Sequence, residues 1–247
     1  RKLLKNSESH NGLAVDGQPN SIYNNTWGNS FNAKGMDVFT KFAQGYGYAQ
    51  CTNNCYQRLT DPVNMTRRVL YLKPGLWLVF DNFVGRGDRR YSQFFGFADK
   101  QVEARQQRVQ TTYGKNDLVV EAIKPVEISL TESVWSPEYN LLKENVRAEF
   151  SVSTSGSHSL ITALYFPEHG SINIKQIPVY DRADIKLADT VAEAVEVVCN
   201  GKEYVVLVVN NPQGPVTPFY KVKGFVVTGE VVLLEKQGGG YVQHVIL

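Results

Sequence analysis

Residues able to do chemistry are sparse in this 247-residue chain, and the most suggestive of them come almost at once. His10 and Asn11 stand in Ser7-Glu8-Ser9-His10-Asn11-Gly12, a polar cluster that runs straight into Leu13-Ala14-Val15 and an Asp16-Gly17 turn. An imidazole placed this way can ligate a metal or carry a proton. The neighbouring amide can support the ring from behind or cap the turn. A His-Asn pair ahead of a strand is also an ordinary turn held by side-chain-to-backbone bonds, and the residues alone leave both readings open.

Other reactive groups are fewer still. Cys51 and Cys55 are separated by Thr52-Asn53-Asn54, a turn-forming spacer. The spacing allows a disulfide across a small loop in an oxidising compartment. It also allows two free thiols, or half of a metal site with no second cysteine pair or nearby histidine to complete it. Cys199 reads as a small buried hydrophobe. Tyr46, Tyr48 and Tyr56 are candidates to line a sugar groove, although β-propensity alone also places tyrosines in strands. Arg67, Arg68 and Asp81 flank Lys73-Pro74-Gly75 and are read as an ion pair across a hairpin. His158, His169 and His244 lack partner spacing and are expected at the surface or at strand edges. No nucleophile elbow, phosphate loop, His-Glu-x-x-His or dinucleotide fingerprint occurs.

The elements that must position these residues are strands. Strand signals cover 13–16, 65–72, 76–84, 91–98, 118–123, 126–130, 148–153, 160–166, 172–177, 191–199, 204–209, 225–234 and 241–247. Asn200-Gly201 between two apolar runs predicts a type I′ hairpin, because both turn residues need positive φ. Val205–Val209 is apolar on both faces, so that strand should be central and covered twice. Helical periodicity is weak: one short helix is expected over Ser136–Asn145 with Ser136 as N-cap, and one turn over Asp184–Asp189. The expected fold is all-β, a large antiparallel sandwich of stacked sheets with little helix. One domain over 1–247 is expected, with a soft boundary between two lobes near 132–145.

Bulk properties narrow the function. The chain is 43% hydrophobic and 20% charged with a net charge of +2, enough apolar material for a sizeable core. No run of like charges gives a nucleic-acid footprint. A few cations in a cleft still suffice for an acidic saccharide. No apolar stretch reaches the roughly 18–20 residues that span a bilayer. Arg1-Lys2-Leu3-Leu4-Lys5 has neither an initiator Met nor an apolar signal core, and the chain reads as a fragment or processed product.

Several segments in order carry a family likeness: Ser9-His10-Asn11 with Val15-Asp16-Gly17, then Tyr46-Gly47-Tyr48-Ala49, then Arg67-Arg68-Val69-Leu70-Tyr71-Leu72 with Trp77-Leu78-Val79-Phe80-Asp81, then Trp135–Tyr139. Together they resemble the C-terminal β-sandwich of heparinase II/III-like polysaccharide lyases, a superfamily that includes alginate lyases. The resemblance implies a secreted or periplasmic bacterial enzyme in which an upstream N-terminal α/α toroid supplies most catalytic residues and the sandwich closes the cleft. No catalytic residue is assigned within this chain. The implied reaction is β-elimination on a uronic acid in heparin-, heparan sulfate- or alginate-like polysaccharide. It also implies zinc in the complete enzyme: His10 resembles the last of three ligands, its partners are expected upstream, and Asn11 would support it. Within this chain alone His10 is then an orphan ligand and no cofactor is expected. The rival reading is a non-catalytic carbohydrate-binding or structural sandwich.

Overall fold

A strand whose apolar residues alternate must bury one face, and a strand apolar on both faces must be covered twice. Both kinds occur here, and the outcome is a stack of four antiparallel sheets. The computed structural model describes residues 3–25, 27–211 and 219–247, and these form 22 strands and three single-turn 3₁₀ segments. The first sheet is ordered Leu13–Val15, Asp88–Phe97, Lys143–Ser155, Glu127–Trp135. The second runs Gly35–Phe42, Tyr46–Tyr56, Val63–Leu72, Leu76–Val84, His158–Tyr165, Val119–Ala122, Arg108–Thr111, Val102–Arg105. The third runs Ile172–Ile177, Ala192–Cys199, Lys202–Val209, Val231–Gln237, Gly240–Val245, and the fourth Val179–Tyr180, Phe219–Val222, Phe225–Thr228. A two-stranded ribbon, Ile22–Tyr23 with Asn29–Phe31, lies outside the stack.

Buried side chains show which layers touch. On one face of the eight-stranded sheet, Met65, Phe83 and Leu160 pack with Leu13, Val15 and Tyr91 of the first sheet. Further along, Val109 and Val120 meet Phe95, Ala148 and Phe150. The opposite face sends Leu70, Leu78, Phe80 and Ile161 against Val195, Val206, Val208 and Leu233 of the third sheet. Val205, Leu207 and Val209 point the other way, toward Tyr220, Val222 and Val227 of the fourth. The strand Lys202–Val209 is thus covered on both faces, as its unbroken apolar run requires. Its hairpin partner ends at Asn200-Gly201, whose φ values of 51° and 76° have the signs a type I′ turn needs.

Three expectations change. Residues 136–142 form an irregular turn rather than a helix, with the Ser136 hydroxyl donating to the Glu138 carbonyl. Leu141 and Leu142 are exposed there, so a helix would have had no apolar stripe to bury. The same stretch is the tip of a hairpin whose strands stay paired from Glu127↔Ser151 to Trp135↔Lys143, so no lobe boundary falls at 132–145. The chain instead passes from the first two layers to the last two between Tyr165 and Ile172. Residues 184–189 are not helical either: the Asp181 carboxylate accepts from the Ala183 and Ile185 N–H groups and closes a turn. The two long strands Gly35–Phe42 and Tyr46–Tyr56 have no counterpart in the strand signals, because glycines and polar residues break their apolar pattern.

Between the second and third sheets lies a polar seam in an otherwise apolar interface. The Lys124 ammonium donates to the Ser159 hydroxyl at 2.7 Å and pairs with Glu193 and Asp189 at 3.2 Å each. Asn210 donates to the other Glu193 oxygen at 2.8 Å and accepts, at its backbone carbonyl, from the Asn82 amide at 2.9 Å. Arg68 joins from the central sheet, donating to the Val209 carbonyl at 3.1 Å. It does not face Asp81, since adjacent strand residues point to opposite faces. His158 opens the strand His158–Tyr165 and is half-buried. Its ring is parallel to that of Tyr91, and its Nε2 is buried without a hydrogen-bond partner.

Two outcomes follow. Leu207→Ala should cost about 2–5 kcal/mol in denaturant unfolding, because it empties a site closed on both sides. Burial, reinforced by the Lys124 charge, lowers the His158 pKa to about 4, from an ordinary value of 6.5. The unfolded chain therefore binds more protons between those values, so His158 takes stability away as pH falls from about 6.5 toward 4. The melting temperature of His158→Gln should decline less steeply over that window than that of the parent chain.

Candidate functional site

The strand Leu13–Val15 pairs with Asp88–Phe97, placing Leu13 opposite Gln93 at the edge of the first sheet. The segment ahead of it, Ser7–Gly12, is held at several points. The Ser7 hydroxyl bonds Asn20 and also accepts from the Asn20 N–H at 2.8 Å. Glu8 pairs with Arg147 at 3.2 Å, and the Arg147 guanidinium lies 5.7 Å from the Phe94 ring centre. The His10 N–H donates to the Ser7 carbonyl at 3.2 Å, and the Phe94 N–H to the Gly12 carbonyl at 2.9 Å. His10 itself is exposed.

Asn11 is the point of strongest attachment. Its side-chain oxygen accepts from the Gly96 N–H at 2.7 Å, and its carbonyl accepts from Arg67 Nη1 at 2.6 Å. Arg67 is in turn fixed from the other side. Asp81 lies directly opposite it in the register of the central hairpin. Arg67 Nε and Nη2 donate to the two Asp81 oxygens at 2.7 and 2.8 Å. Asp81 has no exposed side-chain surface, and Gln93 supplies a further donor at 2.7 Å. Gln93 accepts from the Thr162 hydroxyl with its own oxygen. Burial opposes the charge on Arg67, but the Asp81 charge and hydrogen bonds outweigh it and hold the guanidinium pKa above its ordinary value. The expected ion pair across the hairpin is therefore formed by Arg67 and not by Arg68. Gln93, Gly96 and Glu8 escape the sequence reading, because only sheet register and layer packing bring them here.

The tyrosine reading is corrected. Tyr46, Tyr48 and Tyr56 are 5%, 1% and 0% exposed and offer no face to a sugar. They alternate inward along a strand buried under neighbouring layers. Burial pushes the Tyr56 phenol well above its usual range, and its O–H donates toward the Leu13 and Gln18 carbonyls at 3.2 and 2.9 Å. That bond braces the strand that follows His10. The half-exposed rings of the central hairpin are Tyr71 and Trp77, stacked at 4.6 Å with 14° between planes. They are four residues from Arg67 and Asp81 respectively, hence on the same face.

Cys51 and Cys55 are free thiols, and the disulfide reading is also corrected. Both lie within the strand Tyr46–Tyr56, where Cys51 is paired in the ladder opposite Arg67 and Cys55 sits in a bulge, buried against the first sheet. Burial raises the Cys55 pKa to about 11, which makes it an inert interior thiol. No group of three His, Cys, Asp or Glu side chains able to hold a metal occurs among the described residues. One imidazole alone does not meet the needs of zinc.

A four-layered antiparallel sandwich with a tethered His-Asn segment at the edge of its first sheet defines a class. Residues 1–177 match the family model described as heparinase II/III-like, C-terminal, and the chain belongs to that family. Its fold is similar to that of the heparan sulfate lyase HepC from Pedobacter heparinus: 16% identity, TM-score 0.66, covering 87% of this chain and 32% of that one. A heparinase III structure gives 16% identity and a TM-score of 0.62, covering 84% of this chain and 30% of its own. A further heparinase III gives 11% identity and a TM-score of 0.63, covering 85% and 31%. The chain thus spans about a third of the length of these structures. No curated protein matches the chain. No helix among the described residues is long and apolar enough to cross a membrane.

Asp81→Ala should destabilise the chain by about 3–5 kcal/mol, since it strands the Arg67 charge. Arg67→Lys keeps the charge but loses the fork and the Asn11 contact; about 1–2 kcal/mol is expected, with faster amide exchange at Gly96, read by hydrogen exchange.

Proposed function

We propose that this chain is the C-terminal β-sandwich of a polysaccharide lyase that cleaves an acidic, uronic-acid-containing polysaccharide by β-elimination. In that reaction the sugar carboxylate is neutralised, a base takes the C5 proton, and an acid protonates the departing glycosidic oxygen. The proton-transferring groups are assigned to a helical toroid outside these residues. This chain's part is to present His10 at a fixed position beside the central hairpin and to form one wall of the cleft. The observation that carries the reading is the coincidence of the family match over residues 1–177 with a His10-Asn11 segment anchored by a buried Arg67–Asp81 pair. Firm anchoring of the backbone that carries an exposed imidazole is what a ligand or substrate contact needs and what a plain turn does not.

His10 is assigned as one ligand of a zinc site completed by residues outside this chain, with Asn11 holding the backbone beside it. An acidic polysaccharide substrate also places the enzyme where such polymers occur, outside the cell or in the periplasm.

The test is direct. The complete enzyme should form unsaturated product from heparan sulfate or alginate, followed by ultraviolet absorbance, and the 247-residue chain alone should form none. In the complete enzyme His10→Ala should lower activity by about 10–100-fold and lower bound zinc in parallel, with the melting temperature of the isolated chain unchanged. Activity of the isolated chain, or full zinc content in His10→Ala, would overturn the assignment.

A further inference from the structure

The charged groups of the third and fourth sheets form a site that the lyase reading leaves unused. A groove of about 490 Å³ opens there, mostly beyond the family-matched residues, with Ile177, Pro178 and Tyr180 as its apolar lining and Lys175, Lys221 and Lys223 as its cations. Two carboxylates, Asp184 and Glu196, also border it. The sheets position these groups: Lys175 is opposite Glu196 in one ladder, and Tyr180 is opposite Lys221 in another. Lys223 and Gly224 turn the hairpin between Phe219–Val222 and Phe225–Thr228, both at positive φ.

Counting donors separates the three lysines. An ammonium has three N–H donors. Lys223 uses all of them, on Glu196, Glu203 and the Tyr241 hydroxyl. It is a fixed anchor with nothing left for a ligand. Lys175 spends one donor on Glu196, at 2.5 Å, and its side chain is 65% exposed. Lys221 spends one on Asp184, at 2.7 Å, and that aspartate is itself 75% exposed. Two lysines thus face one groove with two donors each to spare, beside a tyrosine ring and a proline. A sugar ring has an apolar face and, when it is a uronate or sulfated, an anionic edge. A groove of this volume suits one or two such rings.

We propose that this groove binds acidic saccharide, with a carboxylate or sulfate held between Lys175 and Lys221 and a pyranose face against Tyr180 and Pro178. The choice of saccharide rests on the acidic-polysaccharide reading given above. Such a site raises the local concentration of a polymer whose other segments lie in the cleft, and it needs no catalytic group to do so.

The test is calorimetric titration of the 247-residue chain with a heparin-derived tetrasaccharide and, separately, a tetrauronate. Binding of at least one is expected. Lys175→Gln with Lys221→Gln should weaken it about tenfold, and Tyr180→Ala should also weaken it. Lys34→Gln with Lys115→Gln removes the same charge elsewhere on the surface and should change it less than twofold. The single lysine variants serve if the double variant melts early. No binding of either probe, or equal loss in both lysine pairs, overturns the groove. Unsaturated-product formation by the complete enzyme is read independently. If that fails while the lysine dependence holds, the lyase reading falls and the groove stands.

Discussion

Asp81 is a carboxylate with no access to water, and the arrangement of the first two sheets depends on satisfying it. A buried charge left unpaired is among the costliest features a fold can carry. Three donors answer it here, two from Arg67 in the adjacent strand and one from Gln93 in the facing sheet. The pair therefore does more than join two strands of a hairpin. Through Gln93 it fixes how the first sheet lies over the second, and through Arg67 it reaches the Asn11 carbonyl. Replacing such a buried pair with apolar residues is often neutral or stabilising, so its retention here is best explained by what it positions.

The opposite face of the central sheet solves the same problem differently. Asn82, next to Asp81 in sequence, points to the third sheet and donates to the Asn210 carbonyl. Lys124, Ser159 and Glu193 extend the network, with Lys124 and Ser159 both bonded to Glu193 of the third sheet. Apolar surfaces alone would let two sheets slide over one another at little cost. Directional contacts across both interfaces remove that freedom, and the second sheet becomes the common reference for the first and the third.

Much of this was legible in the sequence, and the limits have a physical pattern. Asn200-Gly201 and the unbroken Val205–Val209 run announce a hairpin and a doubly covered strand, because both are local properties. The Arg67–Asp81 pair is readable for the same reason, since a short hairpin sets its own register. Tyr46, Tyr48 and Tyr56 are not readable in this way. Whether a strand tyrosine faces water depends on which sheet lies over it: Tyr46 and Tyr48 pack under the third sheet, built from residues more than a hundred positions later, and Tyr56 packs under the first. Cys51 and Cys55 mislead because Asn-rich spacers usually turn, whereas ladder pairing of Cys51, Thr52 and Asn53 keeps this one within a strand, with only a bulge between Asn53 and Tyr56. Gln93 and Gly96 become visible as partners of the His10 segment only when the layers are assembled.

The doubly covered strand also has a consequence for biosynthesis. Five consecutive apolar residues without a charge or proline form a segment that self-associates when bare. One neighbour, Ala192–Cys199, leaves the ribosome first and can pair at once. The other neighbour in the sheet, Val231–Gln237, and two of the three fourth-sheet strands that cover the outer face, Phe219–Val222 and Phe225–Thr228, are made afterwards. For the time taken to translate some thirty residues, one edge and one face of the strand remain open to other nascent chains. The flanking Lys202-Glu203 and Asn210-Asn211 act as gatekeepers during that interval. Aggregation during overproduction should therefore begin in this part of the molecule.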